Sequence, residues 1–291
     1  SPHQCYTGPM AQCRVPAARR CLRRGLLRLL TACLVGVLAG CSPATTDTSA
    51  PSTSPPPVGS TPFSLLQMNL CLSGLAPCLE YPEVIREAIT VIRGHRPDAV
   101  TLNEVCSRDV ARIAQRTGYH RRFSTVPYGE GPLPCRAPSG RGVFGNALLT
   151  AAQIAATGDR RFSAQSIDPE QRRWLCVATA QSVTVCTTHL SSPSEPRTAV
   201  LRQCEEFTDM LAVRARRGPT IAAGDMNKLG SCAPAGMWTR TDWGWAQTPG
   251  VQHAYGTASH LRAATSEVLP ATSTDHDFLY LRAWLVSPGE R

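Results

Sequence analysis

Residues 219–227 read PTIAAGDMN, a run of small and apolar residues that ends on Asp225 and Asn227. Such a run is typical of a buried strand. A tight turn would also use Asp and Asn, and Asp225 could simply cap a following helix. The stretch decides our interpretation of the fold because the same pattern, an apolar strand closed by isolated polar residues, recurs along the chain.

Several apolar strands end on polar residues. A structural role could explain each of these residues alone, but it does not explain why so many occur at strand ends. Glu104 alone could cap a helix, and His189 alone could be a hydrogen-bonded histidine at a strand end. Because ligands of α/β folds bind where strands end, we interpret the set as one site. Its members are Asn69, Glu104, His189, Asp225 with Asn227, and Asp275 with His276.

Hydrophobic periodicity predicts strands and helices in alternation. Strands are predicted at 63–70, 98–104, 142–150, 173–180, 181–190 and 219–227, with a last one inside 274–286. Helices are predicted from Pro82 to before Pro97, over 107–115 and over 197–216. Hairpins combined with crossover helices indicate an α/β domain with mixed sheets.

Carboxylates, amides and imidazoles in this combination suit the metal-assisted hydrolysis of a phosphate ester. Mg²⁺ prefers oxygen ligands and keeps several waters, so one or two carboxylates and an amide can hold it. The reaction also requires a base that activates water and donors that stabilise charge on phosphate oxygens. Histidine can serve either purpose near neutral pH.

Six short motifs carry a resemblance to a known family. In chain order they are QMNL at 67–70, LNE at 102–104, GNALLT at 145–150, TTHL at 187–190, GDMN at 224–227 and TDHD at 274–277. In this order and spacing, residues 63–286 resemble the endonuclease/exonuclease/phosphatase superfamily, whose fold is DNase I-like. The resemblance implies a four-layer α/β sandwich of two mixed β-sheets flanked by helices, and hydrolysis of phosphodiesters or phosphomonoesters.

The resemblance further implies which residues bind metal and substrate. Asn69, Glu104 and Asp275 match the metal ligands, with Mg²⁺ as the expected cation and Mn²⁺ or Ca²⁺ as alternatives. Asn146 matches a position on the substrate side. In the loop at 128–140 and just after it, arginines including Arg141 could border a phosphate, although a loop held by a disulfide explains that stretch as well.

The resemblance also implies catalytic roles. His189 matches a contact to the scissile phosphate, and Asp225 matches the residue that orients and deprotonates the attacking water. Asn227 lies beside Asp225 and helps to hold phosphate. His276 matches the histidine that acts as general base or stabilises the transition state.

One position departs from the family pattern. Many members carry an Asp that orients the catalytic histidine, and in this sequence the corresponding stretch, 250–255, places Gln252 in that slot. An amide at this position can still accept a hydrogen bond from the imidazole of His276, but it cannot stabilise an imidazolium as a carboxylate does. A catalytically weak surface-binding protein is therefore one alternative function.

The substrate stays open at this point. We favour an exported nuclease or general phosphodiesterase that acts as a monomer. The alternative is a sphingomyelinase-like enzyme acting on phospholipid. Trp243 and Trp245 could stack on bases or enter lipid, but core tryptophans are the simpler interpretation. The net charge of +9 does not decide the matter, because six arginines lie before residue 41, where no acidic residue offsets them.

The first 62 residues have the features of an export signal and a linker. Arginines precede the apolar run 29–38, and LAGC at 38–41 resembles a bacterial lipobox, which implies cleavage before Cys41 and its attachment to lipid. A plain secretory signal or an uncleaved anchor is the alternative, Sec or Tat export stays open, and so does a start at Ser1 or Met10. We expect a signal peptide at 1–40, a disordered Ser/Thr/Pro linker at 41–62, and the enzyme domain at 63–291, located at the cell surface or secreted.

Eight of the 13 cysteines follow residue 41, an even number that favours disulfides in an exported protein. If residues 173–190 form a hairpin, Cys176 and Cys186 lie opposite each other within reach of a disulfide, and the turn falls at 180–182. Eight cysteines allow 105 connectivities. One that contains this pair adds Cys71 with Cys78, Cys204 with Cys232 and, by elimination, Cys106 with Cys135, without a geometric argument for those three.

Overall fold

The computed structural model describes residues 59–76, 80–166, 169–192, 197–243 and 250–286. The helices are α1 (Glu83–His95), α2 (Ser107–Thr117) and α3 (Arg197–Ala215). The first seven strands are β1 (Thr61–Asn69), β2 (Ala99–Cys106), β3 (His120–Thr125), β4 (Pro127–Tyr128), β5 (Gly131–Pro132), β6 (Phe144–Thr150) and β7 (Ile154–Arg161). The others are β8 (Arg173–Thr179), β9 (Thr184–His189), β10 (Thr220–Asp225), β11 (Met237–Thr241), β12 (Gln252–Thr257), β13 (Leu261–Leu269) and β14 (Phe278–Leu285).

Two six-stranded mixed sheets organise these elements. The first has the order β13-β14-β1-β2-β6-β3 and the second the order β11-β12-β10-β9-β8-β7. Each sheet contains one parallel pair near its centre, β1 with β2 and β9 with β10, and its other neighbours are antiparallel. In the parallel pairs Asn69 lies opposite Asn103 and Asp225 lies opposite His189.

Three apolar clusters arrange the sheets and helices as four layers. The inner cluster joins the two sheets, with Leu65 and Leu281 from the first and Val185 and Ile221 from the second. The outer face of the first sheet packs against α1 and α2, and that of the second against α3. The α/β sandwich implied by the resemblance is confirmed.

Sequence periodicity did not predict the edge strands of the two sheets, the short strands β4 and β5, or the buried strand β12. The four edge strands are β3, β7, β11 and β13. Their side chains are largely exposed or half-buried, and β7, for example, has no buried residue. An edge strand that buries little apolar surface has no alternating pattern for periodicity to detect.

Three of the predicted disulfides are present. Cys176 and Cys186 face each other across the β8–β9 hairpin, as the hairpin geometry predicts. Cys106 is bonded to Cys135, and Cys204 is bonded to Cys232. The predicted pair of Cys71 with Cys78 involves a residue outside the described part of the chain.

The predicted signal peptide, lipobox and most of the linker lie outside the described residues. Within the residues described, none of the helices has the length and apolar character needed to cross a membrane.

Candidate active site

The carboxyl ends of the central strands of both sheets come together at Asp225, which is almost fully buried. Its Oδ2 accepts hydrogen bonds from Asn69 Nδ2 at 3.0 Å and from Gln252 Nε2 at 2.9 Å. Its Oδ1 accepts one from the backbone N–H of Asn227 at 3.0 Å. Three donors thus hold this carboxylate in one orientation.

Two histidines flank Asp225. His276 Nε2 lies 3.5 Å from Asp225 Oδ2 and 3.9 Å from Oδ1 of the exposed Asp275. Burial alone would raise the pKa of Asp225. Positive charge on His189 and His276, whenever these imidazoles are protonated, and the hydrogen bonds from Asn69 and from the N–H of Asn227 lower that pKa below its ordinary value. Asp225 is therefore an ionised carboxylate at neutral pH.

His189 is held as a neutral imidazole. The Nδ2 of Asn227 donates to the carbonyl oxygen of Leu190 and to His189 Nε2, both at 2.9 Å. Because the carbonyl identifies this amide atom as the nitrogen, His189 Nε2 must accept and Nδ1 carries the proton. Burial lowers the pKa of His189 well below its ordinary value. Among the described residues, the buried Nδ1 has no hydrogen-bond partner.

A bulge directs Glu104 into the site. The register of β2 against β6 shifts between Leu102 and Val105, and Glu104 has a φ of 53°, in the left-handed region. Its Oε1 accepts a hydrogen bond from Asn69 Nδ2 at 3.0 Å. Burial raises the pKa of Glu104, although that hydrogen bond opposes the rise. The two carboxylates that Asn69 joins therefore have pKa values shifted in opposite directions, which is typical of different chemical roles.

Gln252 lies beside His276, in the position that the resemblance assigns to it, but its amide oxygen does not accept from the imidazole. The Oε1 of Gln252 accepts from Gln67 Nε2 at 2.8 Å. Gln252 Nε2 is therefore the atom that faces His276 Nδ1, at 3.4 Å. The amide nitrogen, and not the oxygen, approaches the imidazole because a buried neighbour already uses the oxygen.

Arg172 is a buried residue of this region that the sequence did not reveal. Its Nη2 pairs with Glu170 Oε2 at 2.9 Å, whereas its buried Nε and Nη1 have no partner among the described residues. Its positive charge lowers the pKa of both Glu104 and His189, which places it near the site. No motif marks Arg172, since its position depends on how the loop before β8 folds back.

The two residues predicted on the substrate side are both buried. Asn146 Oδ1 accepts a hydrogen bond from Asn103 Nδ2 at 3.2 Å. The amide of Asn146 therefore helps to fix the side chain of Asn103 on the neighbouring strand β2. Arg141 pairs with Asp109 at 3.0 Å and donates to the carbonyl oxygens of Leu72 and Pro138. Because these partners occupy its guanidinium, Arg141 fastens the loop that Cys135 anchors, and we do not retain it as a substrate contact.

The sequence profile of the Endonuclease/Exonuclease/phosphatase family matches residues 77–276. The chain belongs to this family. Human nocturnin, an endonuclease/exonuclease/phosphatase from Beutenbergia cavernae and ANGEL2 have similar solved structures. Nocturnin is 16% identical with a TM-score of 0.58, and the match covers 77% of this chain and 95% of that one.

The other two similarities are of the same order. The Beutenbergia protein is 19% identical with a TM-score of 0.59, over 78% of this chain and 72% of that one. ANGEL2, a 2′,3′-cyclic phosphatase, is 12% identical with a TM-score of 0.59, over 79% of this chain and 97% of that one. At these identities the similarity establishes the fold. A comparison with curated protein sequences finds no match.

The family implies a divalent cation, and the oxygen donors present fit a hydrated one. Within the described residues, no three His, Cys, Asp or Glu side chains form a metal cage. Mg²⁺ needs only one or two carboxylates because it retains waters, and Glu104, whose charged form burial disfavours, would gain from a cation. Asn69 turns its nitrogen to the carboxylates, while its Oδ1 accepts from the N–H of Cys71 at 3.1 Å. Asn69 thus offers a metal only the second lone pair of that oxygen.

Proposed function

We propose that this protein is an exported, divalent-metal-dependent phosphodiesterase, with nucleic acid as its favoured substrate. The observation that carries the proposal is a group of buried hydrogen-bond donors without acceptors beside the carboxylates. They are Nε and Nη1 of Arg172 and Nδ1 of His189, each without a partner among the described residues.

These donors suit an anion. A buried donor without a partner costs about 1–3 kcal/mol, which an incoming acceptor would offset. A guanidinium and an imidazole N–H match the oxygens of a phosphate, and arginine is well shaped for this contact. The charge of Arg172 acts on both Glu104 and His189, so an anion bound to these donors would lie within electrostatic range of the site's carboxylates.

Asp225 is the residue that we propose accepts the proton of the attacking water. The water oxygen forms a bond to phosphorus while the bond from phosphorus to the leaving oxygen breaks. One proton of the water passes to the carboxylate of Asp225, and the leaving oxygen takes up a proton from solvent. Arg172 and His189 donate hydrogen bonds to the phosphate oxygens as negative charge develops on them.

Glu104 and Asp275 would hold the cation, and Asn69 would orient Glu104 towards it. When bound, Mg²⁺, or Mn²⁺ or Ca²⁺ in its place, supplies positive charge that stabilises the phosphate oxygens. The proposal predicts that a chelator abolishes turnover and that added Mg²⁺ restores it.

Support for nucleic acid comes from the structural neighbours. ANGEL2 was crystallised in complex with adenosine-2′,3′-vanadate and is described as a 2′,3′-cyclic phosphatase. Human nocturnin carries a bound sulfate anion.

Export rests on the sequence of the first 62 residues and on the three disulfides, which are typical of oxidising compartments. We propose that Cys41 is attached to lipid. In that case Cys41→Ser should release the protein from the membrane fraction of the cell. Unchanged membrane association of this variant would contradict the attachment.

The experiment that tests the proposed activity uses the purified protein with plasmid DNA, a bis-aryl phosphodiester and sphingomyelin vesicles. Each substrate is tested with Mg²⁺ and with chelator, for the wild type and for His276→Ala. We expect metal-dependent cleavage of DNA and of the diester, both impaired by His276→Ala. Cleavage of the vesicles alone would identify a lipid-directed enzyme, and no turnover of any substrate would overturn the proposal in favour of a binding protein.

A further inference from the structure

A continuous line of buried side-chain amides connects the backbone of β10 to the imidazole of His276. It consists of Asn103, Gln67 and Gln252, each fully buried. Each link is a hydrogen bond between 2.8 and 2.9 Å, and the final contact to His276 is 3.4 Å. Because an amide has a donor end and an acceptor end, fixing the orientation of one amide in this series also fixes the orientation of the next.

The direction is set at a backbone group that can only donate. The N–H of Asp225 donates to Asn103 Oδ1 at 2.9 Å, which identifies that atom as the oxygen. The atom of Gln67 that lies 2.8 Å from the same oxygen must then be its nitrogen. The hydroxyl of Thr101 lies against the other end of the Gln67 amide, its oxygen.

The same logic fixes Gln252. The Nε2 of Gln67 lies 2.8 Å from Gln252, so the atom it meets is the oxygen. The remaining atom is the nitrogen, and it lies 2.9 Å from the carboxylate oxygen Asp225 Oδ2, an acceptor, as a nitrogen should. The backbone of β10 and the carboxylate of Asp225 therefore require the same orientation of Gln252 independently of each other.

Only one form of His276 satisfies these neighbours. Nδ1 faces a donor, Gln252 Nε2, so a proton on Nδ1 would bring two donors together. Nε2 faces two acceptors, Asp225 Oδ2 at 3.5 Å and Asp275 Oδ1 at 3.9 Å, so a proton there is favoured. A carboxylate in place of Gln252 would reverse the preference.

We propose that Gln252 is a positioning residue that selects, between the two tautomers of the His276 imidazole, the one protonated on Nε2. This inference rests on the proposed function and refines it. A histidine whose Nε2 already carries the proton can donate a hydrogen bond from that nitrogen, but it cannot accept the proton of the attacking water there. The water proton then passes to Asp225.

His189 provides an internal comparison in the same protein. There an amide nitrogen, Asn227 Nδ2, donates to Nε2, so the proton lies on Nδ1. The two histidines of the site are thus assigned opposite tautomers, each by a neighbouring amide nitrogen.

The test is the two-bond ¹H–¹⁵N correlation spectrum of the full chain with ¹⁵N-labelled histidine, recorded without metal at a pH where the imidazoles are neutral. His276→Gln and His189→Gln assign the two signals. We expect the Nε2-protonated pattern for His276 and the Nδ1-protonated pattern for His189. An Nδ1-protonated or doubly protonated His276 in the wild type would overturn the inference.

The variant Gln252→Glu tests the cause. It places a carboxylate oxygen where the amide nitrogen stands, and it should convert His276 to the Nδ1-protonated or doubly protonated form while His189 stays unchanged. An unchanged His276 pattern in a folded variant would show that Gln252 does not set the tautomer. If the variant does not fold, the wild-type spectrum decides alone. Since none of these signals depends on turnover, failure of the proposed activity and failure of this inference are distinguishable.

Discussion

Asp242 is a fully buried carboxylate whose burial raises its pKa from 3.8 to about 6. A carboxyl group whose pKa is raised by folding stabilises the folded state at low pH, and this contribution is lost as pH rises through the folded pKa. We therefore predict that the free energy of unfolding falls by about 3 kcal/mol between roughly pH 4 and pH 7 on account of Asp242.

The measurement is denaturant unfolding at several pH values for the wild type, Asp242→Asn and Asp209→Asn. Asp242→Asn should lack this part of the pH dependence. The control changes a carboxylate on the exposed side of α3 and should keep the wild-type slope. Parallel curves for Asp242→Asn and the wild type would contradict the prediction.

Arg172 is predicted to contact phosphate through its unpartnered nitrogens. Arg172→Lys keeps the charge but removes the planar donors, so it loses charge-assisted hydrogen bonds worth about 1.5–3 kcal/mol each. We expect kcat/KM for a phosphodiester to fall roughly 10- to 150-fold. The matched control is Arg173→Lys, because Arg173 is occupied by Asp159 and by the carbonyl oxygen of Thr125. Equal losses in both variants would argue against a specific role for Arg172.

At the scale of single residues, the sequence predicts the side chains that end central strands. Asp225 and His189 stand at the ends of apolar runs, where a polar residue is conspicuous. The positions of Arg172 and Gln67 carry no such signal, because their roles arise from contacts between segments far apart in the chain. The direction of the Gln252 amide likewise depends on Gln67, which sequence reasoning cannot pair with it.

Among the elements, β9 and β10 approach each other closely at Gly224. A Cβ at this glycine would lie 2.0 Å from the carbonyl oxygen of Thr188, so Gly224→Ala must push the strands apart. Since Asp225 and His189 are the next pair in register, we expect the variant to lose roughly 100-fold in kcat, as a displacement of about 1 Å can do. Gly94→Ala, where a Cβ meets open space in α1, is the control and should keep full activity.

The disulfides also act at the scale of elements. Cys176–Cys186 closes a separation of 10 residues within one hairpin, whereas Cys204–Cys232 closes 28 residues and joins α3 to the segment after β10. Loop-closure entropy predicts stabilisation of about 2.7 and 3.6 kcal/mol, respectively. Urea unfolding of the two double Cys→Ala variants should show the larger loss for the second pair. The reverse order would show that local packing outweighs loop closure.

The predicted elements are those with a buried face. Periodicity located β1, β2, β6, β8, β9 and β10 because each supplies apolar side chains to a core. The buried strand β12 was not predicted from periodicity, since its sequence QHAYGT mixes polar and small residues. Periodicity also did not locate β7, whose side chains are exposed or half-buried and which is recognisable only by its pairing with β8. Such a strand forms because a neighbouring strand pairs with it, and this pairing cannot be detected in a local window of sequence.

At the scale of the whole molecule, the two-sheet arrangement explains why the site forms at all. Asn69 and Glu104 come from the first sheet, and His189 and Asp225 come from the second. The face-to-face packing of the sheets brings these strand ends within hydrogen-bond distance, with Asn69 Nδ2 3.0 Å from both carboxylates. A fold that separated the sheets would leave each half of the site incomplete.

The most direct test of the account is the rate at which the full chain hydrolyses a bis-aryl phosphodiester with Mg²⁺, for the wild type, Asp225→Asn and the exposed control Asp209→Asn. The account predicts that Asp225→Asn lowers kcat by roughly 10²- to 10⁴-fold, the range for loss of a general base, and that the control retains the wild-type rate. A folded Asp225→Asn protein with undiminished turnover would contradict the claim that this carboxylate activates the attacking water.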